Sequence, residues 1–336
     1  MKVNTKTRRK IALFLAVLFI GIGVPAFSQT GIPNVGDLTQ AMDVFAESMA
    51  RALPFNASMG LNWSDAYIGK FFPSLPPHFG IGISGGFTTM KIDPIMDLLD
   101  IFGFPEQLPE FGGLPIPGAM VEGRLGGLFL PFDIGLKVGY LPFNPGPFDR
   151  VDYLLVGADI RYALLEGNVI LPKVSVGMGL NYLSGGIERR LGRGIEISYR
   201  DLDGPQILGI EAPNLSVQWS TATLDLKAQV SKQIFIVTPY LGIGASHGWS
   251  KVSYGLDAEI TTNGNLEQAK EIFRQYGIDI DEEMRRLSSE LGIGGWSFRA
   301  FGGVSVNLLL FRLDFTGLWD IRDNNFGATM GARIQI

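Results

Sequence analysis

The stretch "NNFGATMGARIQI", Asn324 to Ile336, alternates without a break. Its even positions are Phe326, Ala328, Met330, Ala332, Ile334 and Ile336; its odd ones are Gly327, Thr329, Gly331, Arg333 and Gln335. A period of two with one apolar and one polar face is the mark of a β-strand between two different solvents. The alternation continues to Ile336, so the end of the chain is expected to be a structural strand.

The same alternation recurs upstream. Leu309, Phe311, Leu313 and Phe315 alternate with Arg312 and Asp314; Trp296, Phe298 and Ala300 with Ser297 and Arg299. Val174, Val176, Met178, Leu180 and Tyr182 face Lys173, Ser175 and Asn181, while Ile160 and Tyr162 oppose Asp159 and Arg161. Ile134, Leu136, Val138 and Tyr140 oppose Asp133 and Lys137. These runs reach the ~9–11 residues that a tilted strand needs to cross a bilayer, longer than the usual ~5–6. A soluble β-sandwich also alternates. Aromatics near the strand ends and charges of both signs on the polar faces favour a membrane barrel with a wet lumen.

A walk along the chain predicts strands near 79–92, 119–130, 132–142, 151–163, 169–183, 214–230, 234–260, 295–307, 309–321 and 325–336. Short and long connections alternate between them, as a barrel with both ends on one side requires. Residues 184–213 leave room for another hairpin, so the expectation is an all-β antiparallel barrel of about 10–12 strands, with 14 possible. The apolar phase slips from odd to even near Ser220, which reads as a β-bulge.

Composition bounds the function. The chain has 336 residues, 44 Gly, no Cys and a net charge of −5. Without Cys there is no disulfide scaffold and no thiolate metal site. An excess of acid over base argues against nucleic acid as a partner. Lys2, Lys6, Arg8, Arg9 and Lys10 precede an apolar run from Ile11 to Val24, then Pro25 and "AFSQ". That is the grammar of a signal peptide cleaved after Ser28, and the apolar run is short for a membrane anchor.

At this point the chain resembles bacterial outer-membrane β-barrel proteins, on residues 1–28 and about 79–336. The resemblance implies export, location in the outer membrane, and outer-membrane lipid and the barrel assembly machinery as partners. Members usually end in an aromatic residue, often Phe; this chain ends in Ile336. Three domains follow: residues 1–28 a signal peptide, 29–76 an N-terminal helical and plug-like segment, and 77–336 the barrel.

Helix grammar appears in "DLTQAMDVFAESMARALP", where Asp37 caps the start, Leu38, Met42, Phe45, Met49 and Leu53 share a face, and Pro54 is expected to end it. Further helices are read at Asp93–Gly103 and Asn265–Leu291. The stretch after the first helix, with Met59, Leu61, Trp63 and Tyr67 at odd positions, reads either as another strand or as a plug inside the barrel. A helix and an extended piece ahead of the first strand is the layout of long-chain fatty-acid transporters, which carry an N-terminal hatch. The chain is similar to them in layout only, since it lacks their Asn-Pro-Ala hatch motif; its nearest stretch is Phe55-Asn56-Ala57-Ser58.

Candidate sites follow. The loop over residues 94–118 carries Leu98, Leu99, Phe102, Phe104 and Phe111, an apolar surface that reads as a groove for a small hydrophobic molecule or as packing in the barrel mouth. The expected lumen lining includes Lys137, Asp159, Arg161, Lys173, Arg299, Arg312, Asp314 and Arg333, of mixed sign. "GIGISG" at Gly80 opens no helix, so it is no dinucleotide loop. Ser246 and His247 are adjacent on a strand and point to opposite sides. His78 and His247 stand far apart, which argues against a metal site. The expectation is therefore no enzyme, no cofactor and no metal. A transporter or channel for small hydrophobic molecules such as fatty acids is one functional reading; a closed barrel displaying its outer loops is the other.

Overall fold

The computed structural model describes residues 35–91, 113–140, 150–190, 195–201, 204–210, 214–257, 260–262, 267 and 288–336. Helix α1 (Val35–Ala57) precedes thirteen strands: β1 (Phe79–Met90), β2 (Leu114–Gly126), β3 (Phe132–Tyr140), β4 (Arg150–Leu165), β5 (Lys173–Arg190), β6 (Ile195–Asp201), β7 (Gly204–Ile210), β8 (Asn214–Ser231), β9 (Val237–Asp257), β10 (Ile260–Thr262), β11 (Ser289–Leu308), β12 (Phe311–Asp320) and β13 (Phe326–Gln335). Ten of these close an antiparallel barrel in the order β1-β13-β12-β11-β9-β8-β5-β4-β3-β2. The hairpin expected within 184–213 does form, as β6 and β7. It joins β10 in a separate three-stranded sheet, so the barrel keeps ten strands and neither twelve nor fourteen.

Closure explains the C-terminal alternation. β13 lies between β12 and β1, pairing Ile334 with both Phe311 and Ile81, so every backbone group of the last strand has a partner inside the wall. Tight turns after β2, β4, β8 and β11 gather at the end where β1 begins and β13 finishes, called here the turn end. The opposite rim is the loop end.

The wall has two heights. β3, β12 and β13 have 9, 10 and 10 residues, whereas β5, β8, β9 and β11 have 18, 18, 21 and 20. The extra length lies at the loop end, where both faces of the tall strands exchange character. Outward on β5, Val176, Met178, Leu180 and Tyr182 give way to Ser184 and Glu188; on β9, Ile243 and Trp249 give way to Lys251 and Ser253. Outward on β8, Leu226 and Leu224 give way to Ser220 and Gln218. Ala222 pairs with both Tyr182 and Trp249, so the change falls in one row around the wall. Inside, the polar Asn181, Thr223 and Ser250 give way to buried Leu183, Trp219 and Val252 at about the same level.

The slip near Ser220 is this exchange and not a bulge. The register of β8 runs unbroken from Asn214 to Ser231 against both neighbours. The irregularity the barrel does contain lies between β4 and β5, at Ala163/Leu165. The environment changes sides while the backbone does not. Below the row the strands face lipid outside and water-like polarity inside; above it they behave as a soluble barrel around an apolar core.

That core is α1. Met42, Ala46, Met49 and Leu53 pack with Tyr153, Leu155, Leu183, Val217, Trp219 and Val252. Phe45 is half-buried against the same cluster, and the side chain of Leu38 lies outside the described set. Pro54 does not end the helix, which continues to Ala57. Its ring stands so close to Gly248 that a Cβ there would collide with it. The stop comes after it, where Ser58 N donates to Phe55 O at 3.1 Å and Gly60 and Leu61 take positive φ. Gly60 is required there by crowding as well, because a Cβ would strike the Met120 sulfur.

Several expectations meet the described residues only in part. The helix read at Asp93–Gly103, and Leu98, Leu99, Phe102, Phe104 and Phe111 with it, lie outside them, as do residues 1–28. Leu114 and Ile116, read as loop, belong to β2, and Ile116 is buried against the α1 cluster. The last three residues of the helix read at Asn265–Leu291 begin β11 instead. Met59 to Tyr67 forms no strand and runs irregularly, because its backbone groups bond to lumen side chains.

Candidate functional site

The lower lumen, from the exchange row to the turn end, is filled by residues 56–70. Along its length that segment meets wall side chains. Asn56 donates to Thr88 Oγ1 at 2.8 Å, and Lys137 Nζ donates to the carbonyls of Ala57, at 2.8 Å, and Met59. Glu122 accepts from Leu61 N at 3.0 Å, from Trp63 Nε1 at 2.7 Å and from Ser84 Oγ. Ala66 N donates to Ser231 Oγ at 2.9 Å and Ile68 N to Asp133 Oδ2 at 3.2 Å. Phe71 N then donates to Gly127 O at 3.0 Å, beneath the turn-end rim. A chain without regular structure must place its donors and acceptors somewhere when buried, and here the barrel wall takes them.

Asp65 is the hub. Its carboxylate accepts from Arg312 Nη1 at 2.5 Å, Arg333 Nη2 at 3.3 Å, Lys173 Nζ at 3.3 Å and Gln335 Nε2 at 3.2 Å. Arg333 also lies over the Trp63 ring, 4.6 Å from its centroid, and pairs with Asp314.

A second network spans the wall. Asp133 binds Arg124 at 2.5 Å and Arg161 at 2.8 Å; Asp159 binds Arg124 at 2.9 Å and Lys227 at 2.6 Å. Arg161 also donates to Asp65 O at 2.8 Å, tying this network to the segment. Further along the wall Arg299 grips Asp225 with two bonds, 2.6 and 2.8 Å, and donates to Ser246 Oγ at 2.9 Å. So Lys137, Asp159, Arg161, Arg299 and Arg333 are buried, while Lys173, Arg312 and Asp314 are half-buried nearer the turn end. All eight enter ion pairs or hydrogen bonds, five with the segment itself. Asp159, Arg299 and Asp314 pair within the wall instead.

The space left over is small. A cavity of about 20 Å³ lies between Trp63, Glu122, Asp314 and Arg333, room for about one water. Ser246 faces the lumen and His247 the outside, where its ring packs between Trp249, at 4.6 Å, and Trp296, at 5.0 Å. The larger concavity is outside, above the exchange row: a cleft of about 620 Å³ lined by Arg150, Asp152, Glu188, Gln218, Lys251 and Glu290. Asp65 escaped the sequence reading because no period marks it, while Trp63 was legible only as an odd position of a stretch read as a strand or a plug; the one further signal was a polar, aromatic segment, "NASMGLNWSDAY", ahead of the first strand.

The exterior decides what the wall is for. Ile81, Ile83, Leu136, Val138, Leu180, Leu241 and Ile243 stand exposed on four strands spread around the wall, while the lumen holds buried arginines. Large exposed aliphatics on every side and charge inside suit only lipid as the outer solvent. The chain is a membrane-spanning β-barrel. On β5 the outward apolar run Val174–Tyr182 covers about 26 Å of strand, or ~20 Å of membrane after a tilt of ~40°. Trp249, Trp296, Tyr140 and Tyr182 ring its upper edge and Phe79, Tyr162 and Phe311 its lower.

No protein-family model matches the chain, and no curated protein matches it. The solved structures that match are bacterial outer-membrane β-barrels. A major outer membrane protein of Thermus thermophilus is 9% identical, covering 77% of this chain and 99% of its own, with a TM-score of 0.32. The outer membrane protease OmpT of Escherichia coli is 11% identical, covering 81% and 100%, at 0.34. The translocator domain of the autotransporter NalP from Neisseria meningitidis is 10% identical, covering 90% and 98%, at 0.34. Likeness this distant leaves function to the chain's own geometry.

Proposed function

We propose that this chain is a bacterial outer-membrane barrel sealed by its own N-terminal segment, a plug of residues 35–72, and that it acts at the cell surface through its loop end. The observation that carries this reading is the matching of lumen charge to plug. Asp65 neutralises cations from three strands, and pulling it out would strand Arg312 and Arg333 with less compensation in a closed interior. Removing one partner of a buried pair costs about 3–5 kcal/mol. A passage that opened in each transport cycle would meet that barrier along with the loss of the α1 core. The mixed-sign cleft beside Lys251 and Glu290 gives the loop end a polar recognition surface.

A second reading, transport of small hydrophobic molecules such as fatty acids, draws on one observation. Among the described residues β2 and β3 share six paired positions, Val121–Gly126, where the other neighbouring barrel strands share nine or more. Among the same residues Leu114 to Met120 pair with β1 alone, and this is the seam along which the wall would part. Recordings in planar bilayers test the choice. The sealed barrel gives no stepwise conductance and vesicles containing it take up a long-chain acyl probe no faster than empty ones. Conductance steps, or uptake several-fold above empty vesicles, would overturn the sealed reading in favour of transport.

A further inference from the structure

We infer that the lumen is the route by which the amino-terminal part of this chain crosses the membrane, so that the barrel presents the amino end of α1 on the outer face. The inference concerns the direction of α1 and holds whether or not the plug ever leaves. Near the start of the helix, Asp43 Oδ1 accepts from Tyr254 OH at 2.7 Å, three residues from the loop end of β9. Near its finish, Pro54 packs on Gly248, six residues lower on the same strand. Eleven helical residues rise about 16 Å, and six strand residues about 20 Å. The helix therefore descends β9 from loop end to exchange row, amino end first and uppermost.

The descent continues in order. Ala57 and Met59 reach Lys137, Asp65 reaches Lys173 and Arg312, and Phe71 and Phe72 bond to the β2–β3 turn at the opposite rim. Six residues, 73–78, then join this rim to β1. At ~3.3–3.6 Å each they span at most about 20 Å, too little to return through the lumen. The segment is thus a single pass, tethered at the turn end and leading with its amino end. The lining agrees with that direction at both levels. Carbonyls of residues 57–65 meet cations below the row, and the apolar face of α1 meets Leu155, Leu183 and Val217 above it. Reversed, the helix would set Met42 and Met49 among the buried arginines. Opposite that face, Gln40, Val44, Glu47 and Arg51 stand exposed above the short wall.

In an outer-membrane barrel the short turns face the periplasm and the longer loops the outside. The chain has no cysteine, so single thiols report their own side of the membrane. Gln40→Cys and Val44→Cys place one on the exposed face of α1. Leu309→Cys, in the turn between β11 and β12 and almost fully exposed, places one at the turn end. Each full-length variant is expressed in the outer membrane and treated with a membrane-impermeant maleimide before and after the envelope is permeabilised. The ratio of the two signals is expected near one for both α1 positions and at least tenfold lower for Leu309→Cys. Ratios for α1 equal to or below that of the turn would overturn the inference. If Leu309→Cys is itself the surface-labelled position, the barrel is inverted and the loop-end role fails with it. If the turn is silent and α1 is silent too, only the presentation of α1 fails.

Discussion

Replacing Asp65 by Asn keeps the size of the side chain and removes its charge, so the effect isolates electrostatics. Three cations lose their partner, but not equally. Arg333 retains Asp314 and Ser64 Oγ, and Lys173 retains the Tyr67 carbonyl at 2.9 Å. Arg312 is left with Asn307 Oδ1 at 3.3 Å and no other carboxylate within ion-pair distance among the described residues. The perturbation is therefore nearer the lower end of the ~3–5 kcal/mol range for breaking a buried pair, about 3 kcal/mol. It acts on the local opening of residues 56–70 and not on the wall, whose ladders Asp65 does not join. At ~1.4 kcal/mol per decade, opening should become about a hundredfold more frequent. Amide hydrogen exchange reads this directly. Leu61, Ala66 and Ile68 donate to wall side chains, and their exchange should accelerate about a hundredfold in the variant. Amides of β5 and β9 should keep their wild-type rates. A folded Asp65→Asn protein with unchanged exchange over residues 61–68 would refute the latch.

The exchange of faces makes a separate prediction on β8. Leu226→Arg puts a charge on the lipid face near mid-bilayer and should lower folding stability by ~2–4 kcal/mol. Gln218→Arg, on the same outward face eight residues toward the loop end, should change it by less than ~0.5 kcal/mol. Urea titration of both variants in lipid vesicles checks the pair, and equal losses would show that the boundary row is misplaced.

Most of the wall was legible because a barrel strand has only two surroundings to satisfy. Arg333 and Gln335 against Ile334 carry the pattern to the end of β13, and all ten barrel strands overlap the ranges predicted from the sequence. The reading faltered where alternation stops being about lipid. In β8, Val217 and Trp219 are as apolar as Leu224 and Leu226 and point the other way. Period alone records which residues share a face; it does not record which solvent lies on that face. A bulge and an inverted environment leave the same trace in sequence, and only the unbroken register tells them apart. The lumen segment was harder still. Asp65 belongs to no period, and its partners lie 108, 247 and 268 residues away in the chain.

That separation also bears on how the parts depend on each other. The cations that hold Asp65 sit on β5, β12 and β13, the last two among the final strands of the chain. The hub at Asp65 is therefore incomplete until β13 has closed against β1, and the same closure completes the hydrogen-bonded wall. Before closure the lumen cations face no counter-charge from the segment, and the apolar inner face of the tall strands has no helix to cover. Both deficits vanish together when the segment is inside. Wall and segment are thus each other's missing surface. A barrel formed without residues 35–72 would hold Arg161 and Arg312 in a water-filled lumen and expose Leu155, Leu183 and Trp219 above the membrane, so the segment is part of the fold and not a removable stopper.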